Sequence, residues 1–68
     1  MRPFEDLSRT EIEYLITEWV HNQRDRQIMR RRLLDGVVFE RIAGEFDLSV
    51  PQIKTIVYKS QNKMIEHI

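Results

Sequence analysis

Residues 39–63, FERIAGEFDLSVPQIKTIVYKSQNK, decide the fold: they read as a short helix, a tight turn, and a second helix with its own start signal. Ser49 is a strong N-cap, because its hydroxyl can accept from a backbone N–H of the first helical turn that has no intrahelical partner. Gln52, three residues on, can reach back to the Ser49 N–H and complete a capping box. Leu48 before the cap and Ile53 after it are spaced as a hydrophobic staple, which sets the angle at which the chain turns into the helix. Pro51 falls in the first helical turn, where its missing N–H costs nothing. The inner positions of this helix are Ile53, Ile56, Val57, Ser60 and Met64. The shorter helix before it puts Phe39, Ile42, Ala43 and Phe46 on one side, and small Ala43 allows a neighbouring helix to approach closely.

Outward from this stretch, the preceding chain reads as a supporting platform. Ser8 and Glu11 form another S-x-x-E capping box, with Leu7 and Ile12 placed as its staple. Ile12, Leu15, Ile16, Trp19 and Val20 then recur at helical spacing, not at the alternation of a strand. The opposite face, Arg9, Glu11, Glu13, Thr17 and Glu18, is mostly acidic, which argues against docking of this helix on anionic lipid or DNA. Asn22 with Asp25 three residues later starts a second helix, whose apolar positions are Ile28, Met29, Leu33 and Leu34. Asp35-Gly36 ends it, since glycine takes the left-handed conformation without steric cost. The expectation is an all-α domain over 1–68 with helices at about 8–21, 23–34, 39–46 and 50–66. Val37-Val38-Phe39 is too short to pair as a strand.

A chain of 68 residues holds one small core, which disfavours an internal catalytic cleft. There is no cysteine, so disulfides and thiolate metal sites are excluded. No apolar run approaches the roughly 20 residues that span a bilayer, and MRPFEDLS lacks the apolar core of a signal peptide, so a cytoplasmic protein is expected. His21 and His67 lie far apart with no carboxylate pair beside them, and two glycines cannot build a phosphate loop. No catalytic residue, metal site or cofactor is expected, and the chain is not read as an enzyme.

The net charge is zero, with 11 basic and 11 acidic residues, yet the charge is segregated. Residues 1–21 carry −3, residues 22–34 carry +4, residues 35–48 carry −3 and residues 49–68 carry +2. A fold that brings the second and fourth segments to one side acquires a basic face and an acidic back.

The segment LLDGVVFERIAGEFDLSVPQIKTIVYKSQNKMI resembles the helix-turn-helix of sigma-70 region 4 and of the related response-regulator output domains. The resemblance rests on Gly36 ending the supporting helix, on Phe39, Ile42 and Ala43 in the first motif helix, and on Leu48 and Ser49 opening the second. Ile53, the Lys54-Thr55 pair and Lys59 complete it, over about residues 8–65. Val38 stands where that family places a polar cap, and Asp47 stands where it favours glycine. Nothing resembles a promoter-melting region, so a free-standing sigma factor is not expected.

The resemblance implies a small DNA-binding transcription regulator with its last helix in the major groove of double-stranded DNA. The outward set Val50, Gln52, Lys54, Thr55 and Tyr58 would face the bases. Arg24, Arg26, Arg30, Arg31, Lys59 and Lys63 would hold phosphates. Gln52 is contested between the capping box and a base edge. A module this small is expected to gain specificity from a partner or as a homodimer, whose face could be Trp19 and Val20, Val37 and Val38, or Met64, Ile65 and Ile68. The competing reading is an interaction module that docks on RNA polymerase or a regulatory partner without touching DNA, favoured by the neutral total and the acidic first helix.

Overall fold

The computed structural model describes Phe4 and residues 6–68; residues 1–3 and Glu5 lie outside the description. The chain is all-helical, with α1 at Arg9–Trp19, α2 at Gln23–Leu33, α3 at Phe39–Phe46 and α4 at Val50–Ile65. No strand occurs among the described residues.

Three of the four helices begin on a side-chain cap. The Ser8 hydroxyl accepts from the Glu11 N–H at 3.2 Å and the Asn22 carboxamide accepts from the Asp25 N–H at 3.2 Å. Ser49 caps α4 with both halves of the capping box in place. The exception is α3, where Val38 supplies no side-chain hydrogen bond and only its carbonyl accepts, from the Arg41 and Ile42 N–H groups at 3.2 Å. That helix starts at Phe39 even so, because its inner face is anchored by burial instead of by a cap.

The helix ends have separate causes. Gly36 sits at φ +66 after α2, and Asp47 ends α3 in the left-handed region at φ 55, a conformation that aspartate tolerates better than most residues. The first helix stops at Trp19, two residues before the expected end at His21, with Val20 extended at φ −111. Arg26 explains the early stop: its guanidinium donates to the carbonyls of Thr17 and Val20, capping the end of α1 from the next helix. Such a cap supplies donors for carbonyls that have no further helical turn to bind them.

Helices α2 and α4 each pack against the other three helices, while α1 and α3 do not touch one another. The α2–α4 pair is thus the spine and the other two helices flank it. The innermost side chains, Ile16, Ile28, Met29, Ile42, Ile53, Val57 and Met64, come from all four helices. Burying one such side chain is worth roughly 1.5–3 kcal/mol, so each helix contributes at least one contact the domain needs. No polar or charged residue is buried among the described residues. The inner positions expected of α1 and α4 lie inward, with Trp19, Ile56 and Ser60 half-buried at the margin.

Candidate nucleic-acid interface

The solvent face of α4 is built on the cap that starts it. The Ser49 N–H donates to Gln52 Oε1 at 2.8 Å, the Ser49 hydroxyl donates to the same oxygen at 3.1 Å, and the Gln52 N–H donates to Ser49 Oγ at 3.3 Å. Gln52 is nonetheless exposed, and no hydrogen bond within the described residues engages its amide nitrogen. One turn on, the Thr55 hydroxyl donates to the Pro51 carbonyl at 3.0 Å. Lys54, Thr55, Tyr58, Lys59 and Lys63 are exposed, and Val50 is half-buried.

On one flank, Phe39 at the start of α3 gathers three groups. Arg32 from the end of α2 lies over the ring, its Cζ 4.1 Å from the centroid, and the Lys54 ammonium lies at 5.9 Å. Tyr58 meets the same ring edge-on at 6.1 Å and is half exposed. Both cations lie within the range where the negative face of an aromatic ring attracts them. Arg32 is further held by donation to the Val37 carbonyl at 3.1 Å. On the other flank, Arg24 borders a shallow hollow with Leu48, Gln52, Thr55 and Ile56. Next to it, Lys59 and Lys63 share a second hollow with His21, Asn22 and Asp25.

The three consecutive arginines of α2 point three ways. Arg30 pairs with Glu13 and fastens α2 to α1. Arg31 binds Asp35 and Glu45 and fastens α2 to α3. The hydrogen bond from Arg31 is the main cause that holds the Glu45 carboxyl below its ordinary value, and the same bond raises Arg31. Of the arginines proposed for phosphate, Arg26, Arg30 and Arg31 are therefore engaged within the fold, while Arg24 stays half exposed beside Asp25. Arg32 was not singled out from the sequence. Its position beside Phe39 depends on how α2 and α3 meet, and only its place at the end of an arginine run hinted at it.

The lysines behave differently. All three in the chain, Lys54, Lys59 and Lys63, lie on α4, and among the described residues none has a carboxylate within 4.0 Å. Arginine serves as a planar, multidentate tie inside this fold, and lysine supplies compact mobile charge outside it. Two of the expected dimer-face residues, Val20 and Met64, lie in the core at 5% and 0% exposure. Among the described residues the large exposed apolar side chains are Tyr14, Val38, Tyr58, Ile65 and Ile68. Among the described residues no cluster of three or more histidine or acidic side chains is placed to hold a metal, and no helix is long and apolar enough to cross a membrane. No protein-family model, curated protein or solved structure matches the chain.

Proposed function

We propose that the chain is a small cytoplasmic DNA-binding transcription regulator, a binding module without catalytic activity, in which α3 and α4 form a helix-turn-helix and α4 enters the major groove. The observation that carries this reading is the three-lysine surface of α4, free of acidic residues from Val50 to Ile65, on a helix whose start is firmly capped. In this reading Lys59, Lys63 and Arg24 would hold phosphates on one flank, beside the base-facing set Lys54, Thr55, Gln52, Val50 and Tyr58. A module of this size reads a short site, so selective binding calls for two copies on half-sites about one helical turn apart.

The test is binding to random duplex across a salt series. Each phosphate contact contributes a slope of about 0.9 in log affinity against log salt, so Lys59→Ala/Lys63→Ala should weaken binding and lower the slope by about 2. Arg30→Ala, which cuts a tie within the fold, should leave the slope unchanged. Undetectable binding at low salt, or a slope unmoved by the lysine pair, would sink the proposal.

A second reading has its own support. The acidic outer face of α1 and the exposed Tyr14, Ile65 and Ile68 suit a protein partner such as RNA polymerase. Retention of polymerase subunits from nuclease-treated lysate, together with no duplex binding, would favour it.

A further inference from the structure

Resting on the DNA-binding reading above, we infer that Gln52 acts on DNA as a one-way hydrogen-bond donor and that the base it faces is guanine. A glutamine on a recognition helix ordinarily suits adenine, because its oxygen accepts from adenine N6 while its nitrogen donates to N7. Here the oxygen is already occupied. Gln52 Oε1 accepts from the Ser49 N–H at 2.8 Å and from the Ser49 hydroxyl at 3.1 Å. The amide orientation is set by chemistry: a backbone N–H can only donate, so the atom facing it is the carbonyl oxygen and Nε2 points away.

What Gln52 offers to a groove is therefore two N–H groups and no acceptor. Guanine presents two adjacent major-groove acceptors, O6 and N7, which one amide nitrogen can address. Adenine would leave its N6 amino group without a partner on this side chain, and cytosine presents only a donor. The same cap that starts α4 thus narrows what its first turn can read. Keeping the cap closed on DNA also spares the Ser49 N–H from losing its acceptor at the base of the helix.

Glutamate is the natural probe, since it completes a capping box as glutamine does while having no N–H to donate. The experiment selects duplexes from a randomised library with the full chain, wild type and Gln52→Glu, and sequences the bound fraction. A parallel thermal melt of Gln52→Glu should show the fold retained. The position facing Gln52 is the one whose preference changes between the two proteins. The wild type should show guanine there, by roughly fivefold over adenine, the factor carried by one net hydrogen bond. Gln52→Glu should shift that position to cytosine, whose N4 amino group its free oxygen can accept from. Adenine at that position in the wild type, or no position altered by Gln52→Glu, overturns the inference while duplex binding itself stands. Failure of the wild type to retain any duplex at low salt removes the DNA-binding reading and this inference with it.

Discussion

The helix most open to improvement is α3, and Gly44 shows why. It lies within α3 on the side away from the core, it is exposed, and a Cβ built there would meet nothing within 4 Å. Neither packing nor a positive φ requires glycine at this position, so Gly44→Ala changes only helix propensity and the freedom of the unfolded chain. Those effects are worth about 0.8–1 kcal/mol in favour of alanine. Unfolding entropy near 2.1 cal/mol/K per residue gives roughly 0.14 kcal/mol/K for a domain of this length, so the midpoint should rise by about 6–7 °C. Far-UV circular dichroism during a thermal melt measures it. The chain's other glycine supplies the internal control. Gly36 has equally open space but sits at φ +66, so Gly36→Ala should lower the midpoint, by about 1–2 kcal/mol of left-handed strain. Opposite signs at two positions of equal steric freedom isolate backbone conformation as the cause. If Gly44→Ala leaves the midpoint unchanged or lowers it, the reasoning about α3 is refuted. A higher midpoint with weaker duplex binding would instead place the bare backbone of α3 against the duplex.

Other substitutions probe the remaining supports. Val38→Ser should add the missing cap of α3, since position 38 already has the extended backbone of an N-cap and its valine is 57% exposed; about 1 kcal/mol is expected by chemical denaturation. Ile53 is fully buried under the first turn of α4, so Ile53→Val should lose about 1 kcal/mol and Ile53→Ala about 2–5 kcal/mol, against a total near 3–10 kcal/mol for 68 residues. The alanine variant should lose a large fraction of the stability and melt far below the wild type by circular dichroism. Glu45 is held below its ordinary value of 4.5 by Arg31, so its contribution is present above that pH and fades as the pH falls through the lowered value. The gap in thermal midpoint between wild type and Glu45→Gln, measured from neutral pH downward, should be constant to about 4.5 and then close. A gap unchanged in strong acid would show that the carboxylate charge contributes nothing.

What could be read from the chain beforehand was local. Ser8, Asn22 and Ser49 each cap a helix through a partner three residues away, and a spacing of three is visible in one dimension. The inner faces followed from periodicity, and Gly36 from its conformational freedom. The features that escaped notice join distant positions. Arg26 ends α1 by reaching Thr17, nine residues back, and Arg30 reaches Glu13, 17 residues back. Both pairings exist only once α1 and α2 have packed. The arginine-rich segment consequently looked like a phosphate-binding surface, when much of it holds helices together. Gln52 lay between these cases: the capping box and a base edge competed for it in the sequence, and its oxygen lies on Ser49.

The stack between Trp19 and His67 has a practical consequence. The two rings lie face to face, 3.4 Å between centroids and 4° apart in plane, joining the end of α1 to the residues just after α4. Trp19 is the only tryptophan in the chain, so the emission excited selectively at tryptophan comes from this one contact. The stack holds the indole against the imidazole, so the emission should change when that end of the molecule opens. Trp19 also borders the hollow lined by Lys59 and Lys63, which places the fluorophore beside two of the three lysines. The protein thus carries a built-in optical reporter, readable without labels, for the closure of its last turn against α1.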